Sequence, residues 1–334
     1  MPERFLRLRA EQRRDILNAG AAKLGRDAAV LEKDIWVCWA LHHLFSIPRR
    51  PRMAFKGGTS LSKVFDAIQR FSEDIDITID YRDLGSDFNP FARGASKTAL
   101  KKFGENLKAR LNQYAHETVK PHLQAALEAD LGKNKGSVRI SDDGEKLWVN
   151  YPSSSDTKES YVASGVLIEL GARNITEPSA SHTLRPYLAE ISKDLDFTEA
   201  QTDVLAPERT FWEKATLIHV ECNRREPKVN ADRLSRHWSD LAGLAKTEIG
   251  RRTLADRDLL ADVVKHKEVF FPASYANYQA CLHRGFRLIP DEPLRSALSA
   301  DFRKMIDSGM FFGDKPDFAR IIATLSDLEK QINA

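Results

Sequence analysis

The sequence is short of several things, and each shortage closes off a class of function. Three cysteines, Cys38, Cys222 and Cys281, stand in 334 residues with no C-x-x-C spacing. That excludes a disulfide scaffold or a structural zinc and fits a reducing cytoplasm with buried, inert thiols. Neither sign of charge prevails, because 51 Lys and Arg face 48 Asp and Glu for a net of +3. Any attraction for nucleic acid must then come from local surface. Long apolar runs are missing as well: the longest, residues 35–45, is interrupted by His42 and His43, and the arginine-rich residues 1–14 lack an apolar leader core. Neither a spanning helix nor a signal peptide is expected. There is no repeat, low-complexity tract or long linker.

What is present centres on residues 55–63, FKGGTSLSK, followed by residues 70–80, RFSEDIDITID. Gly57 and Gly58 let the backbone approach a ligand closely, and Thr59 and Ser60 are suited to cap the helix that follows, whose N-terminus favours phosphate. Strand alternation puts Asp74, Asp76, Thr78 and Asp80 on one face and Ile75, Ile77 and Ile79 on the other, toward a core. Carboxylates at i and i+2 repel unless a cation sits between them, and a divalent metal is the usual answer. A Gly-Gly turn alone is commonplace, and a D-x-D alone can be a solvated face. Together, in this order, they describe phosphoryl or nucleotidyl transfer.

This stretch resembles the AbiEii/AbiGii family of nucleotidyltransferase toxins, a branch of the polymerase-β-like nucleotidyltransferase superfamily. The resemblance runs from about residue 31 to residue 334. It implies that Gly57, Gly58, Thr59 and Ser60 hold nucleotide phosphates and that Asp74 and Asp76 bind Mg2+. A third metal carboxylate is expected from a neighbouring strand, and Glu169, a single acid among Val166, Leu167, Ile168 and Leu170, is the candidate; otherwise it faces water from an edge strand. Residues 207–214, PERTFWEK, resemble a second family block whose lysine, here Lys214, contacts the phosphates; on its own it reads as a snorkelling lysine in an apolar stripe. Residues 236–241, RHWSDL, resemble the last block, with Asp240 as its required acid; on its own Asp240 is a helix-surface acid. Glu32-Lys33-Asp34 matches a family E-K-D run and otherwise reads as a solvated helix start.

The expected fold is α/β (α+β): a polymerase-β-like core with a mixed sheet in residues 1–205, and a helical C-terminal half in residues 206–334. Periodicity places two helices between residues 10 and 45, broken near Gly25, with Trp36 and Trp39 as packing residues. It also gives a short strand before Gly57, a helix over residues 60–69, and an amphipathic helical segment over 95–131 interrupted at Pro121. A hairpin turns at residues 142–144, and a helix opens at Pro207 with Phe211, Ala215, Ile218 and Cys222 on one face. The aromatics of residues 270–275 read as core. The resemblance implies a bacterial toxin of toxin–antitoxin or abortive-infection (phage-defence) type that transfers NMP from NTP to an RNA acceptor such as the tRNA 3′ end, with a separately encoded antitoxin. Nucleotidylation of a protein side chain and an inactive binding module are the rival readings. An RNA would be held by local basic surface, either Arg224, Arg225, Lys228, Arg233 and Arg236 or the helix face with Lys97, Lys101, Lys102, Lys108 and Arg110.

Overall fold

A helix that is apolar nearly all round has to be enclosed, and residues 28–45 form one. A computed structural model describes residues 3–85, 87–155, 165–224, 231–313 and 315–334. After a short strand β1 (Glu3–Arg4) and helix α1 (Ala10–Leu24), Gly25 takes a left-handed conformation at φ 62° and ends the helix. Asp27 then caps α2 (Ala28–Phe45) by accepting from the backbone N–H of Ala29. Trp36 and Trp39 are buried, as the helical spacing predicts. So are Glu32, Lys33 and Asp34, which are no solvated helix start.

The chain continues through β2 (Met53–Lys56), α3 (Gly57–Lys63), β3 (Ile75–Asp80), α4 (Lys97–Tyr114), α5 (Lys120–Leu131), β4 (Ser137–Ile140), β5 (Lys146–Asn150), β6 (Val166–Asn174), β7 (Ser179–Leu184), β8 (Leu195–Asp196) and β9 (Ala200–Leu205). Seven strands form one mixed sheet in the order β4-β5-β6-β3-β2-β9-β7, while β1 and β8 pair separately. β3 runs antiparallel to β2 and parallel to β6. Ile75, Ile77 and Ile79 are buried, and so are Ile168, Leu147 and Val149 on the neighbouring strands. Helices α2 and α4 contact β6, and α5 contacts β4. Between α4 and α5 the helix widens into a single π turn, Ala115–Val119, just before Pro121. The missing N–H of the proline is thereby absorbed without breaking the rod.

The chain divides into two compact units: residues 1–64, 72–89 and 96–204, and residues 65–71, 90–95 and 205–334. The second is helical, with α6 (Pro207–Cys222), α7 (Ser235–Ala245), α8 (Glu248–Ala255), α9 (Arg257–Phe270), α10 (Glu292–Asp307) and α11 (Phe318–Asn333). Phe211, Ala215, Ile218 and Cys222 are all buried along α6. Residues 65–71 belong to this unit through backbone bonds from Phe71 to Met310 and from Phe312 to Gln69, 2.6 and 3.0 Å long. All three cysteines are buried and unpaired, as expected of inert thiols. Phe270 is core, but Phe271 is 38% exposed. Among the described residues no helix is long and apolar enough to cross a membrane.

Candidate active site

The acid strand meets the glycine turn at one register. Lys56 of β2 stands opposite Asp76 of β3, Asp76 opposite Glu169 of β6, and Glu169 opposite Lys146 of β5. Residues paired across adjacent strands share a face, so two carboxylates lie side by side between two lysines. Asp76 and Glu169 are half-buried, and the Lys146 ammonium lies 3.1 Å from the Glu169 carboxylate. The Lys146 ammonium offsets part of the repulsion within the pair. Gly57 begins α3 at φ 81°, where a Cβ would fall 1.9 Å from Oδ2 of Asp76. Only glycine lets the backbone lie against that carboxylate.

Thr59 and Ser60 do something other than cap. The helix begins at Gly57, ahead of both. The Thr59 hydroxyl donates to the Asp74 carbonyl at 2.6 Å and Ser60 donates to the Gly57 carbonyl at 2.9 Å. Thr59 therefore ties the helix to the entry of β3. Asp74 is buried just ahead of that strand. Thr78 keeps the register of Asp76 on both neighbouring strands but, like Asp80, it is buried rather than open; the pairing with β6 shifts between the two, and Asp80 accepts from Arg82 and Thr176. Burial alone would raise the Asp80 pKa, but the Arg82 hydrogen bonds hold it below the usual carboxylate value. The predicted helix over residues 60–69 stops at Lys63, and Asp66 has φ 46°.

Two buried ion pairs that the sequence does not announce flank this passage. Lys33 donates to Glu73 at 2.6 Å, and Lys63 donates to Asp34 at 2.5 Å. Glu32 accepts from Ser153 and from the backbone of Ser154. Every charge of the E-K-D run thus has a specific tertiary partner.

In the helical unit, Lys214 is neither snorkelling nor solvated. Its ammonium lies 2.9 Å from Asp240, which also accepts two bonds from the Arg70 guanidinium at 2.7 and 2.8 Å. Asp240 is 1% exposed, so it is no helix-surface acid. Burial would push its carboxyl up, but Arg70 and Lys214 hold it well below the usual range. His237 is kept neutral by burial and then by Lys214. Two cations share one anion, and the three side chains sum to one positive charge. Arg70 carries no sequence signal for this role, because its partner lies 170 residues away.

Among the described residues no group of three or more His, Cys, Asp or Glu is gathered to hold a metal. Magnesium does not require one: it is commonly held by one or two carboxylates together with substrate phosphates and water. Asp76 and Glu169, adjacent, half-open and hard-oxygen, fit that demand. Two cavities of about 240 and 520 Å³ in the sheet-bearing unit are lined by residues other than these acids.

A glycine turn laid against an acid strand in a mixed sheet, with helices behind, defines a nucleotidyltransferase. The family of the nucleotidyl transferase AbiEii toxin, of type IV toxin–antitoxin systems, matches residues 39–324, and the chain belongs to it. The family carries with it an NTP substrate and an antitoxin. Among solved structures, MenT4, a nucleotidyltransferase toxin from Mycobacterium tuberculosis H37Rv, is similar with a TM-score of 0.50 and 17% identity, over 95% of this chain and 93% of that one. That likeness is one of fold. No curated protein matches the chain.

Proposed function

We propose that this toxin transfers a nucleoside monophosphate from an NTP to the 3′ end of an RNA such as tRNA, in the cytoplasm and with magnesium. The observation that carries the reading is the Asp76–Glu169 pair in register beside Gly57, whose backbone lies against Asp76. Asp76 and Glu169, with Asp74 just ahead of the strand, are the residues to hold Mg2+, which when bound supplies positive charge for the triphosphate and for the attacking hydroxyl. Gly57, Gly58, Thr59 and Ser60 bring backbone to the phosphates, and the tie from Thr59 to Asp74 keeps turn and acids in step. Lys214, aimed by Asp240, is the point charge for the triphosphate, and Arg70 spares Asp240 from neutralising it fully. The acceptor hydroxyl attacks the α-phosphorus in line and pyrophosphate leaves.

For the RNA, the exposed Lys97, Lys101, Lys102 and Lys108 of α4 remain available. Arg224 is engaged with Glu221 at 3.0 Å and lies over the Tyr275 ring, and Arg225 and Lys228 fall outside the described residues. The test incubates purified protein with each labelled NTP, magnesium and total cell extract. Label in RNA supports the reading, and label in protein with none in RNA replaces it with protein nucleotidylation.

A further inference from the structure

The rung of two acids and two lysines is one row of a larger face. Along β4, β5 and β6 burial alternates: Val138, Leu147, Val149, Val166, Ile168 and Leu170 are buried, whereas Arg139, Lys146, Trp148, Leu167 and Glu169 stay partly accessible. Register sets Arg139 opposite Trp148 and Trp148 opposite Leu167. Two residues along β5 from Lys146, a half-exposed indole therefore lies on the same face as the acids. The Arg139 guanidinium sits over its ring, 5.6 Å from the centroid. The other four tryptophans, Trp36, Trp39, Trp212 and Trp238, are at most 1% exposed. Trp148 is only partly buried where its siblings are fully so, leaving part of a large aromatic surface accessible, and nothing in the chemistry at Asp76 uses it.

We propose that Trp148, with Arg139 and Lys146, is the platform on which the single-stranded 3′ end of the RNA acceptor stacks a base, so that its terminal hydroxyl reaches Asp76 and Glu169. This rests on the RNA reading above. Every base has a π face, and aromatic side chains on a sheet hold unpaired bases by stacking while cations take the phosphates. Strands about 4.8 Å apart, rising about 3.3 Å per residue, put Trp148 roughly 12 Å from Asp76, a short reach for an unstacked RNA end. Beyond the indole, the exposed Lys133 and Lys135 lead into β4 at the sheet edge and extend the positive track. An incoming NTP has no phosphates to place there, whereas a polynucleotide does.

The experiment titrates the full chain with an unstructured 12-nucleotide RNA, reading tryptophan fluorescence and anisotropy, and then measures transfer to the same RNA. Stacking should quench wild-type emission, and Trp148→Phe should bind RNA while losing most of that quench. Trp148→Ala and Arg139→Glu should each raise the RNA Kd and KM by about tenfold, with the KM for NTP unchanged. Arg139 is exposed, so its variant carries the test if Trp148→Ala does not fold. Unchanged RNA Kd and KM in both variants would overturn the platform, and so would equal quenching by NTP alone. Failure of the RNA reading shows separately, as absence of label in RNA with the wild-type protein.

Discussion

Gly57→Ala separates the cost of folding from the cost of catalysis. The new Cβ would sit 1.9 Å from Oδ2 and 2.8 Å from Cγ of Asp76, so the carboxylate must swing away by more than about 1 Å to reach ordinary contact. The backbone at φ 81° is also unfavourable for alanine, at about 1–2 kcal/mol. The carboxylate is half-buried and lies outside the isoleucine core, so no core packing is lost. Stability should fall by about that backbone cost, a few degrees in Tm. Transfer should fall much further, because a misplacement of about 1 Å at a reacting centre costs on the order of a hundredfold. Thermal unfolding and pyrophosphate release under single-turnover conditions measure the two. A variant that transfers at the wild-type rate would refute the claim that glycine is there to let Asp76 take its place.

Three further outcomes follow from the same geometry. Asp76→Asn, nearly isosteric, should reduce transfer to background with an unchanged unfolding curve, since Ile75 and Ile77 keep their burial; wild-type turnover would remove Asp76 from the site. Lys214→Ala should weaken NTP binding by calorimetry while the protein stays folded, because Arg70 still gives Asp240 two hydrogen bonds. His43 is pushed down from 6.5 to about 4 by burial and then by His42, with Asp130 opposing. Below pH 6.5 the unfolded chain takes up that proton while the native one declines it until about pH 4. Stability should therefore be lost as pH falls through that window, and urea titrations at pH 7 and pH 5 should show a smaller difference for His43→Gln.

Where the local signal was strong, the sequence already spoke for the structure. Gly25 between two periodic segments, the turn at residues 142–144, and Pro207 opening a helix with a buried face all follow from backbone chemistry within a few residues. β7 is nearly all exposed, so its sequence, Ser-Ala-Ser-His-Thr-Leu, shows no alternation to read. β9 was hidden by its abutment on the helix that starts two residues later. At the candidate site, Asp76 and Glu169 were legible as residue types, whereas Asp74, expected beside Asp76, is buried ahead of the strand. Their flanking lysines, Lys56 and Lys146, were not, because cross-strand register depends on partners 20 and 23 residues away. Arg70, Lys33 and Lys63 escaped for the same reason: a charge's burial is decided by its tertiary partner, and helical periodicity is silent about that.

Lys33 and Asp34 raise a question of purpose. Buried ion pairs are poor stability devices, since desolvation offsets most of the attraction and apolar replacements are often neutral or better. Their placement suggests position instead. The chain leaves the sheet-bearing unit after Val64 and returns at Ser72, and neighbouring residues of α2 grip it on both sides, Lys63 through Asp34 and Glu73 through Lys33. Gly57 lies in the helix that ends at Lys63, and Asp74 follows Glu73 directly. An apolar contact can slide by a fraction of an ångström at little cost, whereas a buried ion pair that slips leaves charge uncompensated. Replacing Lys33 by Met together with Glu73 by Leu removes both charges at similar volume. That double variant should unfold at or above the wild-type denaturant midpoint and yet transfer more slowly, with kcat rather than the KM for NTP carrying the loss. A double variant that is markedly less stable, or one as fast as wild type, would show that the pair serves the fold and not the register of the acids.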